Sequence, residues 1–330
     1  MAQSPSLPKY LQDDDVSQEC RDLLPSLSSE QGWVGTTLHL YQGFWVGPRH
    51  LKGVLACQRH FRAQDTDVLL VTTPKSGTTW LKAILFALLN RTKYSGSGSQ
   101  GQHPLLNHNP HDLVPFLELK LYVEQDTPDL ASLPPPRLFA THLPYQSLPQ
   151  PVRDSKCKLV YLCRNPKDTC VSLWHFTNKL RPKERGENSL QESLDRFCRG
   201  VSLFGPYWDH VLGYHKASSE TPEKVLFLKY EDMKEDPYAN LRRLAGFLEC
   251  PFSQEELREG MVDEILRLCS FDNLSGLEVN KSGKLASGEE NKAFFRRGEV
   301  GDWVNYLSVD IAEKIDRVGE KKLHGSGLKL

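Results

Sequence analysis

Asp67-Val68-Leu69-Leu70-Val71-Thr72-Thr73-Pro74-Lys75-Ser76-Gly77-Thr78-Thr79-Trp80-Leu81-Lys82 is the stretch that decides the fold. A β-branched apolar run leads into a short turn of small residues, and an amphipathic run follows to Leu89. The order reads as strand, tight turn, helix. Successive main-chain N–H groups at such a turn point away from the helix N-terminus and form a concavity for a phosphate or sulfate. Lys75 adds a full positive charge at its mouth, while Ser76, Thr78 and Thr79 add hydroxyl donors. An anion is expected here, with no obligatory metal.

The loop resembles a P-loop without matching it. The nucleotide-hydrolase pattern places its lysine after the last glycine, followed by a Ser/Thr that holds Mg²⁺. Here Lys75 precedes the only glycine of the turn, Gly77, and Trp80 closes it.

Three more short apolar runs read as buried strands: Arg137 to His142, Lys158 to Cys163 and Lys224 to Lys229. Helical periodicity marks 78–91, 166–181, 190–202, 237–249, 254–268 and 309–321. Short buried strands alternating with helices predict an α/β fold, a central parallel sheet flanked by helices. Ligands of such sheets sit at the carboxyl ends of the strands. Lys75, His142, Arg164 and Tyr230 all fall at those ends.

Composition limits the rest. The chain has 330 residues, 39% hydrophobic and 25% charged, which excludes a largely disordered protein. Its formal net charge of -1 gives no global attraction to nucleic acid or an anionic membrane. No apolar run approaches the roughly 20 residues of a membrane span. The segment from Met1 to Cys20 is polar and acidic and lacks an apolar signal core. The eight cysteines are scattered without CxxC spacing and read as small buried hydrophobes in a reducing compartment. A soluble cytoplasmic protein is expected. Residues 1–32 read as a mobile polar segment and 33–330 as one domain, with Trp33 the first anchor. Gly96 to Gln102 reads as a flexible loop, Pro134-Pro135-Pro136 as a stiff connector, and 280–300 as a lid or loop.

Arg164-Asn165-Pro166-Lys167-Asp168-Thr169-Cys170-Val171-Ser172 follows a buried strand and opens a helix. An arginine at a strand end can grip a phosphate through two parallel hydrogen bonds. Pairing of Arg164 with Asp168 is the structural alternative.

Together with Phe295-Arg296-Arg297-Gly298-Glu299-Val300-Gly301-Asp302-Trp303, these segments resemble three signature regions of the cytosolic sulfotransferases, enzymes that use 3′-phosphoadenosine 5′-phosphosulfate (PAPS). Thr141-His142-Leu143-Pro144 and Leu228-Lys229-Tyr230-Glu231-Asp232-Met233 are further matches, in family order across residues 33–330. Asn109-Pro110-His111-Asp112-Leu113-Val114-Pro115-Phe116 and Leu277-Glu278-Val279-Asn280 are similar to the plant branch. The resemblance implies that Lys75, Ser76, Gly77, Thr78, Thr79 and Trp80 wrap the 5′-phosphosulfate, with Trp80 stacking on adenine. It implies that Arg164, Ser172, Arg296, Arg297 and Gly298 hold the 3′-phosphate. Tyr230 and Cys269-Ser270-Phe271 would line the adenosine, and His142 would be the catalytic base, with Lys75 meeting the charge on the leaving oxygen. His111 and His175 lack that support and read as structural.

The implied activity is transfer of the sulfuryl group to a hydroxyl of a small organic acceptor that is phenolic, steroid-like, jasmonate-like or a desulfoglucosinolate. Trp33, Tyr41, Phe44, Trp45, Phe116, Tyr145 and Phe176 are aromatic candidates for the acceptor pocket. Two departures stand out. Ala140 occupies the place of a lysine carried by many animal members, leaving Lys75 more of the load. The animal dimerisation pattern reads here as Val304, Ser308-Val309 and Glu313 and lacks its lysine, so a monomer or weak dimer is expected. The alternatives are a P-loop-like ATP-dependent small-molecule kinase and a non-catalytic nucleotide-binding protein.

Overall fold

The computed structural model describes residues 8–12, 16–94 and 103–330. The glycine-serine stretch Gly96 to Gln102 lies outside the described residues, as do 1–7 and 13–15 of the N-terminal segment. Among the described residues, seven strands form two sheets: β1 (Ser29–Gln31), β2 (Thr37–Tyr41) and β3 (Phe44–Val46) in one, β4 (Val68–Thr72), β5 (Leu138–Thr141), β6 (Lys158–Cys163) and β7 (Val225–Lys229) in the other. The four-stranded sheet is wholly parallel in the order β5-β4-β6-β7, with Val68 opposite both Leu138 and Lys158, and Leu159 opposite Val225.

The period-2 alternation of these strands builds two apolar layers. Leu69, Val71, Phe139, Leu159 and Tyr161 face one core; Val68, Leu70, Ala140, Val160 and Leu162 face the other. Both faces are covered, which is why the strands read as continuous apolar runs rather than alternating ones. At the opposite end from the cleft, the Asp67 carboxylate takes two hydrogen bonds from Arg137, 2.7 and 2.6 Å, and fixes the start of β4 against that of β5.

Helices cover the sheet, among them Thr78–Leu89, Pro166–Leu180, Leu190–Cys198, Pro237–Phe247 and Val309–Leu323, near the expected spans. The expected 254–268 helix is broken at Gly260 into Gln254–Arg258 and Met261–Leu268. Helices Pro48–His60 and Tyr207–Glu220 and the small antiparallel sheet were not anticipated. Packing also begins before Trp33: the helix Gln18–Leu23 buries Cys20 completely in the core.

Candidate active site

Every element that ends at the upper edge of the parallel sheet contributes to one cavity of about 450 Å³. The first wall is the turn after β4. Lys75 and Gly77 adopt left-handed backbone, φ 68° and 105°, so the chain reverses within three residues and delivers its N–H groups to the start of helix Thr78–Leu89. A Cβ on Gly77 would lie 2.8 Å from a ring carbon of Tyr230, so only glycine fits. Inner hydroxyls brace the turn: Thr73 Oγ1 is 2.5 Å from Ser76 Oγ, and Thr72 Oγ1 is 2.6 Å from Thr78 Oγ1. Ser76 therefore turns its side chain inward, while Lys75, Gly77, Thr78, Thr79 and Trp80 line the cavity. Lys75 Nζ sits 4.0 Å above the Phe176 ring. Burial pulls its pKa down to about 7, with the positive charges of Lys179, Arg164 and Arg296 acting in the same direction.

The second wall follows β6. Arg164 and Ser172 line the same cavity as Arg296, Arg297 and Gly298, which lie far along the chain. Asp168 holds these segments together by accepting the main-chain N–H groups of Gly301 at 2.8 Å and Trp303 at 3.0 Å. The Arg164–Asp168 contact does occur, but only at 3.6 Å. Arg164 instead donates to the Glu299 carbonyl at 2.5 Å, stacks 4.6 Å from the Tyr230 ring centre and leaves its Nε without a protein partner. Arg296 pairs with Asp302 and also leaves a buried Nε unpartnered. Buried guanidinium N–H groups are rarely left unsatisfied. Two of them on one wall suit a multiply charged anion such as a phosphate. Gly298, with φ 68°, lies against Phe271, and its carbonyl accepts the Tyr230 hydroxyl at 2.8 Å.

Between the two seats, Trp80 and Tyr230 meet edge to face with centroids 5.3 Å apart. Ser270 and Phe271 line this part of the cavity, whereas Cys269 is buried beneath it and its thiol does not reach the wall.

His142 follows the last residue of β5 and lies in the cavity wall. Its Nδ1 is 2.6 Å from the Thr72 carbonyl oxygen, which can only accept, so Nδ1 carries the proton and Nε2 keeps its lone pair. Its main-chain N–H donates to Glu118 at 2.7 Å, and its carbonyl accepts from His210 Nε2 at 2.9 Å. Burial pulls the His142 pKa down to about 3, opposed by the bond to Thr72. The Phe116 and Phe204 rings flank it at 4.6 and 5.6 Å.

Of the aromatic acceptor-pocket candidates, Trp33, Phe116 and Phe176 line the cavity. Phe44 is core, Tyr41 bonds to Gln58, and Tyr145 packs on Tyr214. The 280–300 segment is more built than a loop. Helix Glu278–Ser282, a bridge between Lys284 and Glu290, and the turn Asn291–Phe294 carry Leu285, Ser287 and Phe294 to the cavity. Glu118, Lys82 and His210 were missed. A carboxylate or lysine inside an apolar run (Phe116-Leu117-Glu118-Leu119, Leu81-Lys82-Ala83-Ile84) was the available signal.

Parallel sheet, glycine turn and arginine seat together define an α/β fold whose cavity carries two cationic seats, suited to an anion of more than one charged group. The sulfotransferase domain family matches residues 65–327. Cytosolic sulfotransferase 12 of Arabidopsis thaliana is 52% identical over 329 residues, covering 100% of this chain and 99% of its own. A solved Arabidopsis thaliana sulphotransferase is 46% identical with a TM-score of 0.76, covering 98% of this chain and 100% of its own. A mouse sulfotransferase solved in complex with PAP is 26% identical with a TM-score of 0.68, covering 88% of this chain and 95% of its own. The chain belongs to the sulfotransferase family, on the branch of the plant cytosolic enzymes.

Proposed function

We propose that this sulfotransferase is a cytoplasmic enzyme that takes PAPS as donor and sulfates a hydroxyl of a small organic acceptor, with His142 as general base and no metal. The observation that carries the reading is a cavity with two cationic seats, Lys75 to Thr79 and Arg164 with Arg296, and in its wall an imidazole whose Nε2 lone pair is free. PAPS is acidic at both its 5′-phosphosulfate and its 3′-phosphate. The orphaned guanidinium nitrogens of Arg164 and Arg296 and the side-chain-free, left-handed backbone at Gly298 fit its 3′-phosphate. Trp80, Tyr230, Ser270 and Phe271 fit the adenosine between the seats. When bound, the donor supplies an electrophilic sulfuryl group and a stable leaving phosphate.

The protein's own part is to position and to move one proton. His142 Nε2 takes the acceptor hydroxyl proton, a role worth about 10²–10⁴-fold in rate. The Thr72 carbonyl steadies the imidazolium that results. Lys75 stands ready for the charge that develops on the leaving oxygen. Trp33, Phe116, Phe176 and Phe294 supply an apolar surround suited to the body of a phenolic, steroid-like, jasmonate-like or desulfoglucosinolate acceptor.

The test is sulfate transfer from labelled PAPS to a panel of such acceptors in the presence of EDTA. Transfer that survives chelation is expected. Transfer of phosphate from ATP in its place, abolished by EDTA, would make the protein a kinase.

A further inference from the structure

Lys82 is wholly buried in the helix Thr78–Leu89, yet its partners are an imidazole and an aromatic face rather than a carboxylate. Its Nζ lies 3.1 Å from His111 Nδ1 and 3.5 Å above the Phe116 ring. The other nitrogen of His111, Nε2, lies 2.9 Å from Thr79 Oγ1. Thr79 and Lys82 are three residues apart on one helix face, and His111 spans them.

Two buried asparagines hold that imidazole in place. Asn109 caps the short helix of His111 by accepting its main-chain N–H at 2.9 Å, and donates at 2.8 Å to the buried Asn280. Asn280 in turn donates to the Leu274 carbonyl at 2.8 Å. Phe294 covers the other face of His111 at 4.3 Å. Two separated plant-branch segments thus meet in one support for a side chain with no part in the proposed proton transfer.

We infer that Lys82 and His111 are positioning residues that orient the Thr79 hydroxyl toward the donor's anionic group. With Lys82 as the ammonium, which can only donate, His111 Nδ1 accepts from it. The imidazole, neutral because it is buried, then carries its proton on Nε2. That N–H donates to Thr79 Oγ1, and the threonine's own hydrogen is left to point into the cavity that Thr79 lines. Burial pulls the Lys82 pKa well below its usual value; the nearby Glu118 carboxylate and the aromatic face of Phe116, 3.5 Å from Nζ, oppose that shift and favour the ammonium. The inference rests on the PAPS reading for the identity of the anion, but not for the hydrogen-bond order.

Two measurements test it. In the ligand-free protein, ¹⁵N NMR should find His111 as the Nε2-protonated neutral tautomer. An Nδ1-protonated ring or an imidazolium overturns the inference, whether or not PAPS is the donor. In kinetics, Lys82→Met and His111→Leu should raise the KM for PAPS about tenfold, the loss of one hydrogen bond to a charged group, while the acceptor KM stays unchanged. His111→Gln should stay within about twofold of wild type, because its amide can accept from Lys82 and donate to Thr79. Wild-type donor KM in His111→Leu, or no rescue by His111→Gln, overturns the inference. A wild-type enzyme with no PAPS-dependent transfer would instead overturn the donor assignment alone.

Discussion

Glu118 accepts the main-chain N–H of His142 at 2.7 Å through one carboxylate oxygen and the Thr141 hydroxyl at 2.8 Å through the other. A fully buried carboxylate in the turn Leu117–Leu121 therefore sets the height at which β5 delivers its histidine. Glu118→Leu keeps much of the bulk but removes both acceptors, so the buried His142 N–H and the Thr141 hydroxyl lose their partner. We expect kcat to fall about 10–100-fold, the scale of a sub-ångström misplacement of a catalytic group, with donor KM little changed. Steady-state kinetics on the variant check this; an unaltered kcat removes Glu118 from the support of His142.

Lys75 has a pKa near 7 in the ligand-free protein, lowered by burial and by neighbouring cations. A bound polyanion reverses that electrostatic balance and favours the ammonium. Binding of adenosine 3′,5′-bisphosphate (PAP) at pH 8 is therefore expected to take up a proton, up to one per site. Calorimetry in two buffers of different ionisation enthalpy measures the uptake. Lys75→Met should abolish it.

His50, His142 and His210 are held neutral by burial, with pKa values pulled down to about 4, 3 and 4. In the unfolded chain each titrates near 6.5. Between roughly pH 6.5 and 4 the unfolded state binds more protons, so stability falls as the solution is acidified. The slope is about 1.4 kcal/mol per pH unit for each proton of difference. Urea midpoints measured from pH 7.5 down to 4.5 should decline steadily below pH 6.5. A flat profile contradicts the assignment.

Gly298 combines a φ of 68° with a backbone so close to Phe271 that a Cβ would lie 2.6 Å from a ring carbon. Gly298→Ala must shift either Phe271 or the Arg296-Arg297 segment, at a cost of about 1–3 kcal/mol for a non-glycine residue held in strained backbone. PAP affinity should drop by at least tenfold, read by calorimetry, with the parallel sheet intact by circular dichroism.

The sheet was legible because β4, β5, β6 and β7 are buried on both faces and read as unbroken apolar runs. The glycine turn was legible because residue types and order there follow from the backbone it must adopt. The small antiparallel sheet was not: Ser29–Gln31 is short and polar, and its pairing with Thr37–Tyr41 is a tertiary fact. Helix Pro48–His60 was missed because its face buries Arg49 and Cys57 among the apolar residues. Within the site, residues in ordered motifs could be named, whereas Glu118, Lys82 and His210 act through contacts made across the fold. Cys269 shows the converse. It sits beside Ser270 and Phe271 in sequence, but the helix end turns its side chain into the core.

The most direct test of the account replaces the imidazole and measures binding and turnover separately. His142→Ala protein should bind PAP with wild-type affinity, since both cationic seats remain, while sulfate transfer from PAPS falls by about 10²–10⁴-fold, the contribution of a general base. Turnover equal to wild type would contradict the account at its centre.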